Sequence, residues 1–427
     1  MERILVRDLS KYVGQEVKMQ GWAFRIRRLS NVNFILLRDR TGQIQISLSP
    51  ELLEDIHLTT ESIIELHGVV ATEPRAPGGF EVAASGIEII NPADNLPINI
   101  NVPKLNVALD TALDHRVLSL RHGKINPIFK IQSALVHGFQ EFLNGQDFTQ
   151  VFTPKIVSGG TEGGTELFAV EYFEEKAYLA QSPQFYKQMM VGAGYERVYE
   201  VGHVYRAEKH DTSRHLNEYV SLDLEMGFIE NEHEVMDLQN RLLSHMFEYV
   251  NEKCSKELAL LGVTLPEVPD IPRIPLLEAI ELLEKEYGKK HYQPDLDPEG
   301  ERLLSKYFLE KQGSEFVFVI DYPMSKRPMY TMPKGEDLTG SFDLLFRGLE
   351  ITTGGQRIHT YDLLAENMRK KGLNPEDFIS YLDNFAHGMP PHGGLAIGLE
   401  RLTAQILGLS NVREACLFPR DRNRLTP

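Results

Sequence analysis

Arg206 heads the stretch of this chain richest in chemistry, YRAEKHDTSRHLNEYVSLDLEMGF, residues 205–228. Its guanidinium offers a planar fork of donors that suits a phosphate or a carboxylate. A polar loop follows, and then a strand with an unusual face. In alternation, Tyr219, Ser221, Asp223 and Glu225 point one way, and Val220, Leu222, Leu224 and Met226 the other. A ring fit to stack on a base thus shares a face with two carboxylates fit for an ammonium or a cation. A central strand should bury both faces, so such groups need partners. The competing reading is a solvated hairpin carrying surface ion pairs.

A second stretch, SFDLLFRGLEITTGGQRIHTYD (341–362), tips the balance toward a site. Asp343 and Glu350 stand near apolar strands, with Thr353 and Arg357 close behind. Carboxylates beside phosphate-binding arginines normally imply Mg²⁺, which bridges phosphate oxygens. Gly354-Gly355 lets the backbone approach a ligand closely. The alternative is a glycine turn beside a surface arginine. In YLAQSPQFYKQMM (178–190), Gln184 and Lys187 fall three apart on one helix face, so both can reach one ligand. TEGGTELF (161–168) is a glycine loop holding Glu162, able to close over a site. HGGLAIGLERLTAQILG (392–408) reads as a glycine-punctuated strand running into a helix, with Glu400-Arg401 near its start. Alone, that pair means little, because Glu-Arg is common there. His203, His210, His215, His387 and His392 lack metal-ligand spacing and read as structural or loop residues. There is no GxxxxGK[ST] and no GxGxxG after a strand.

The elements that must hold these residues belong to a chain of 427 residues, room for two or three domains of roughly 100–200 residues. Its composition, 42% apolar and 25% charged, is that of a soluble protein. Cys254 and Cys416 lie far apart without CxxC, which argues against a disulfide framework and a structural zinc. The start MERILVRDLSKYVGQEV is no targeting peptide, and no apolar run is long enough to span a membrane. A reduced, cytoplasmic protein is expected. The net charge of -16 argues against a nucleic-acid partner. Yet within 18–40 the residues Lys18, Arg25, Arg27, Arg28, Arg38 and Arg40 face only Asp39, a local +5. One basic face suffices for RNA.

Residues 1–92 hold five short alternating segments separated by turn signals, which suits a small barrel of the OB-fold type. Residues 93–125 are polar and proline-interrupted and read as a linker ending in a short helix. From Pro127 a helix of about twenty residues begins, and the strands at 178–228 and 316–353 are joined in a way that argues for a mostly antiparallel sheet. The charged helical stretch 231–312 reads as an insertion. The fold class is α+β: an N-terminal barrel, a linker, and a catalytic domain over 126–427.

Together and in this order, these stretches resemble the class II aminoacyl-tRNA synthetases, most nearly the aspartyl-tRNA synthetases of archaeal and eukaryotic type. The resemblance covers essentially the whole chain. FTQVFTPKI (148–156) is similar to motif 1, YRAEKHDTSRHLNEY to motif 2 and GGLAIGLERL to motif 3; TEGGTELF, QSPQFYKQ, GLEITTGGQR and FPRDRNRLTP are similar to the aspartate enzymes specifically. The resemblance implies that Arg206 holds the ATP α-phosphate, Glu208 and nearby backbone read adenine, and Tyr219 stacks on it. Arg214, His215, Leu216 and Arg401 would line the rest of a bent ATP. Asp343, Glu350 and Thr353 would hold Mg²⁺. Arg357 and Lys187 would grip the side chain of aspartate, and Gln184, Asp223, Glu162 and Thr353 would surround its remaining groups. Asparagine would then leave two desolvated cations without their anion, a discrimination of roughly 10³-fold or more. The barrel would read the anticodon, with Phe34 stacking on a base and Arg25, Gln45 and Glu81 contacting base edges. A homodimer is implied as well.

Some positions depart from the family's usual pattern. Thr353 stands where many relatives carry serine, which keeps a hydroxyl. Strictly aspartate-reading archaeal relatives tend to carry tryptophan where this chain has Phe24 and lysine where it has Pro77. Their absence suggests an enzyme that also charges tRNA(Asn) and feeds an amidotransferase. Three rival readings are an asparaginyl-tRNA synthetase, a paralogue that makes asparagine from aspartyl-adenylate, and a non-catalytic RNA-binding paralogue. PMSKRP (323–328) has a faint likeness to a loop of class I synthetases. It lacks the partner HIGH motif and is set aside as coincidence.

Overall fold

Val17, Met19 and Ala23 alternate with more exposed residues along the first strand, and this two-residue period buries one face completely. Four more strands repeat it: β1 Glu16–Arg28, β2 Asn33–Arg38, β3 Gln43–Leu48, β4 Ile63–Thr72 and β5 Phe80–Asn91. They close into a barrel in the order β1-β2-β3-β5-β4, with Ile35, Leu37, Ile46, Ile64, Leu66 and Val82 inside. The β3–β5 pair that completes the ring is parallel, and the other pairs are antiparallel. A computed structural model, it describes residues 1–54, 56–161, 166–209 and 212–427. They fall into two compact units, Met1–His122 and Gly123–Pro427.

The stretch expected as a linker therefore travels with the barrel as far as His122. Asn101 Nδ2 donates to the Phe24 carbonyl at 2.7 Å and Arg121 Nη1 to Glu61 Oε2 at 3.1 Å, and Ile98, Ile100 and Leu113 are buried, the last in α1 Leu109–Asp114, which is followed by α2 Arg116–Ser119. Sparse apolar residues in a polar segment carry little periodic signal, so the sequence alone did not reveal this packing.

The second unit opens with α3 Asn126–Asn144, β6 Thr149–Gln150, the small sheet β7 Ile156–Val157, β8 Ala169–Tyr172 and β9 Glu175–Leu179, and α4 Gln184–Met190. The hairpin β10 Arg197–Tyr205 and β11 Glu218–Gly227 follows, then α5 Glu232–Lys253 and α6 Ser255–Leu261. Next come β12 Arg273–Pro275, α7 Leu276–Tyr287, α8 Pro298–Gln312, β13 Phe316–Ile320, and the short pair β14 Pro333–Lys334 and β15 Leu338–Thr339. The chain ends with β16 Ser341–Phe346, β17 Leu349–Arg357, α9 Tyr361–Lys370, α10 Ile379–Ala386, β18 His392–Gly398 and α11 Leu399–Leu407. Among the described residues, eight strands form one sheet in the order β12-β13-β16-β17-β18-β11-β10-β6. It is antiparallel except at its two edge pairs. The insertion expected over 231–312 is helical but not set apart. Val235, Leu242, Met246 and Val250 of α5 join the main core, and Leu283 and Leu304 pack on Val317, Val319 and Leu345. Among the described residues no helix is long and apolar enough to cross a membrane.

Candidate active site

Cross-strand register decides which side chains meet on this sheet. Directly opposed residues share a face. Asp343 on β16 opposes Thr353 on β17, Thr353 opposes Ala396 on β18, and Ala396 opposes Asp223 on β11. One step along, Ser341, Gly355, Gly394 and Glu225 make a parallel row. The opposite face carries Leu222, Leu224, Leu395, Ile397, Phe342 and Leu344, sealed in the main core. The polar face of β11 is thus the wall of a cavity, and small residues on β18 leave room above its floor. Gly394 is indispensable there: a Cβ on it would sit 2.2 Å from both Glu225 Oε2 and the Leu224 carbonyl oxygen.

At one end of the cavity, four buried charges form a closed set. The Lys187 ammonium, on the first turns of α4, is 1% exposed. It donates to Asp223 Oδ1 at 3.2 Å and to the Leu224 and Leu395 carbonyls at 3.1 Å each, and pairs with Glu225 Oε2 at 3.2 Å. Arg357 Nε donates to Glu225 Oε1 at 3.0 Å, and its Nη2 to the Gly394 carbonyl at 3.0 Å. Burial pushes the Glu225 carboxyl up, but Arg357 and Lys187 outweigh it and hold the group below its ordinary range. Ser221 Oγ donates to Asp223 Oδ2 at 2.5 Å. Behind the set, His392 Nδ1 donates to the Pro390 carbonyl and Nε2 accepts from Gln188, while burial drives its pKa down to about 4.

At the other end, arginines gather. Arg206 directly follows β10, and its guanidinium lies 5.9 Å from the centroid of the Tyr219 ring. Asn217 braces the loop between them: its Nδ2 donates to the carbonyls of Arg206 at 2.7 Å and Glu208 at 3.0 Å. Arg401, in the first turn of α11, donates to the carbonyls of Arg214 at 3.3 Å and Glu350 at 3.2 Å. Arg214 is paired with Glu301 of α8. Thr353 Oγ1 donates to Glu350 Oε1 at 3.0 Å. Where β18 ends, Glu400 continues its ladder: Val220 N–H donates to both carboxylate oxygens, at 3.2 and 3.1 Å. Desolvation raises the pKa of Glu400 to about 7.

A family model described as tRNA synthetases class II (D, K and N) matches residues 108–422, and one described as an OB-fold nucleic acid binding domain matches 17–90. The chain belongs to the class II tRNA synthetases. It is 51% identical, over the full length of both chains, to an aspartate–tRNA(Asp/Asn) ligase of Thermus thermophilus. Against an aspartate–tRNA(Asp) ligase of Thermococcus kodakarensis it is 45% identical, covering 97% of each. Among solved structures, an asparaginyl-tRNA synthetase of Pyrococcus horikoshii superposes with a TM-score of 0.93 at 31% identity, covering both chains fully. A putative aspartyl-tRNA synthetase of Leishmania major gives 0.90 at 32%, covering 94% of that chain.

In this synthetase, Arg206, Glu208, Arg214, His215, Leu216, Tyr219, Glu350, Thr353 and Arg401 line one cavity with Gln184, Lys187, Asp223 and Arg357. Asp343 sits beside it, its Oδ2 2.9 Å from Arg327 Nη2. Glu162 lies outside the described residues. The charge argument against asparagine needs amending, because Lys187 and Arg357 already have anions in Asp223 and Glu225. Arg327, Tyr330, Glu301 and Asn217 were missed. Arg327 belongs to the PMSKRP segment set aside above, and its only signal was an arginine near a turn. Asp343 Oδ1 is buried without a donor among the described residues. Its carboxylate, that of Glu350 and the Thr353 hydroxyl suit Mg²⁺, which takes few protein ligands. Among the described residues no cluster of three or more His, Cys, Asp or Glu offers a metal cage.

On the barrel, the register places Arg25, Leu36, Gln45 and Glu81 in one row across β1, β2, β3 and β5. Phe34 stands beside that row, half-buried, opposite Arg27 and Ser47. Gln45 Nε2 and Ser47 Oγ donate to the Glu81 carboxylate at 2.9 and 3.1 Å. The Phe24 ring lies under the Arg38 guanidinium, 5.1 Å away, and Pro77 starts the turn Pro77–Gly79 between β4 and β5.

Proposed function

We propose that this chain is an aspartate–tRNA ligase that charges both tRNA(Asp) and tRNA(Asn). What carries the reading is one cavity with arginines at one end and the Lys187–Asp223–Glu225–Arg357 set at the other. The relatives reported above, at 45–51% identity, are aspartate ligases. The asparaginyl reading rests on fold likeness at 31% identity and has less support.

Arg206 grips the α-phosphate of ATP and stabilises the charge that builds as the aspartate α-carboxylate attacks it, expelling pyrophosphate. Tyr219 stacks on adenine, and Glu208 with the adjoining backbone reads its edge. Arg214, His215, Leu216 and Arg401 enclose the outer phosphates. Asp343, Glu350 and Thr353 would hold Mg²⁺, which when bound would neutralise phosphate charge. Arg357 orients the side chain of aspartate, within the field of Lys187, while Gln184, Asp223 and Glu162 receive its ammonium end. The terminal ribose hydroxyl of the tRNA then takes the aspartyl group from the adenylate. Catalysis is positioning and charge stabilisation, with no protein nucleophile. The outer barrel face around Phe34 receives the anticodon, with Arg25, Gln45 and Glu81 at base edges. Phe24 and Pro77, in place of larger or cationic residues, leave the tRNA(Asn) anticodon tolerated. The enzyme works as a cytoplasmic homodimer and supplies an amidotransferase with Asp-tRNA(Asn).

The test is charging of labelled aspartate onto purified tRNA(Asp) and tRNA(Asn), side by side, with ATP and Mg²⁺. Comparable charging of both is expected. Charging of tRNA(Asp) alone refutes the relaxed specificity, and charging of neither refutes the ligase assignment.

A further inference from the structure

We infer that Arg327 binds the outer phosphates of ATP, and therefore pyrophosphate, as a third arginine there beside Arg214 and Arg401; the inference rests on the proposed ligase activity. Arg327 closes the short turn Met324–Lys326, and its side chain is nine-tenths buried in the cavity wall. The Tyr322 ring lies 3.7 Å from its guanidinium and covers one face, so the edge alone is left to donate. Arg214, Arg401 and Arg327 each rest on a carboxylate from a different element: Glu301, Glu350 and Asp343.

Arg327 differs from the other two in what it lacks. Its Nη2 meets only Asp343 Oδ2, at 2.9 Å and outside hydrogen-bond alignment, and its Nε has no acceptor among the described residues. Buried polar groups in native proteins nearly always have partners, so a buried, always-charged guanidinium with idle donors points to an anion that arrives with substrate. Two anions are available, the side chain of aspartate and the phosphates. Position favours the phosphates. Asp343 stands in one row with Thr353, whose hydroxyl holds Glu350, and Glu350 in turn pairs with Arg401 at 3.8 Å. The carboxylate end is served by Arg357 and Lys187. A planar fork held on an aromatic ring suits phosphate oxygens better than a flexible ammonium does.

The experiment compares full-length wild type with Arg327→Met and Arg327→Lys in aspartate-dependent ATP–pyrophosphate exchange. Calorimetric binding of a non-hydrolysable aspartyl-sulfamoyl adenosine, which has no outer phosphates, is measured in parallel. The Met variant is expected to raise KM for ATP and for pyrophosphate at least about tenfold, the loss of a charge-assisted hydrogen bond. Its affinity for the analogue should stay within about threefold, well under the roughly tenfold that one lost hydrogen bond to charge represents. The Lys variant should recover part of the loss. Unchanged KM for pyrophosphate overturns the inference. So does an equal loss of analogue affinity, or failure of both variants to fold, since either makes Arg327 a structural partner of Asp343. No exchange by the wild type would refute the ligase reading itself.

Discussion

Glu225→Gln keeps the side-chain volume and removes one charge from the closed set. Lys187 and Arg357 balance Asp223 and Glu225 in the wild type; the variant leaves a net +1. At an effective dielectric of about 20, a unit charge roughly 5 Å from a substrate carboxylate changes its energy by about 3 kcal/mol. Relaxation and water reduce this, so the preference for aspartate over asparagine should rise about five- to a hundredfold. Stability moves the other way. The variant loses contacts to Arg357 Nε at 3.0 Å and Lys187 Nζ at 3.2 Å. Breaking a buried pair costs about 3–5 kcal/mol, lessened here because the glutamine oxygen still accepts from one cation. The pH dependence has a definite sign. Burial raises the Glu225 carboxyl, but Arg357 and Lys187 bring it below its unfolded value. Its contribution is thus present above the unfolded pKa and lost as pH falls through the folded one. The variant should lack that part of the acid loss. The assay is the ratio of kcat/KM for aspartate and asparagine in ATP–pyrophosphate exchange, with thermal midpoints from pH 3 to 8. A folded variant whose ratio falls or stays level refutes the charge-balance reasoning.

Glu400→Gln tests the opposite sign. The folded carboxyl titrates at about 7 against 4.5 for the free group, so wild-type stability falls as pH rises through that window. The variant should gain up to about 3 kcal/mol at pH 8 relative to pH 5, and parallel thermal midpoints at the two pH values would contradict this. Gly394→Ala places a methyl group 2.2 Å from Glu225 Oε2 and the Leu224 carbonyl. A loss of about 1–3 kcal/mol and of aspartate-dependent exchange is expected from melting and exchange assays, and a fully active variant of normal stability would disprove the close approach. Phe34→Ala should raise KM for tRNA about tenfold or more while leaving tRNA-independent exchange intact, as loss of one base stack predicts. Equal loss of both activities would place Phe34 in folding instead.

Much of this protein was legible in one dimension. Strand alternation in 219–226 marked a polar face, because a two-residue period survives in any sheet that buries the strand. The barrel segments and the α3 helix followed from their own periods, and the arginines at 206 and 357 stood among residue types that suit phosphate and carboxylate chemistry, whereas Arg401 was picked out only through the family resemblance. Local pattern could not show who pairs with whom. Lys187 is 38 residues from Glu225, and Arg357 is farther still, yet register brings all three together with Asp223. That meeting turned two supposed free cations into a neutral set and changed the specificity argument. Glu301 lies in a stretch with no motif, Arg327 in one whose faint motif likeness pointed elsewhere, and Ile98 and Ile100 in one that looks like a linker. Their burial and pairing show only in the fold. Sequence specifies the chemistry each segment can offer; only the fold decides which charges are desolvated together, and desolvation sets what a charge is worth.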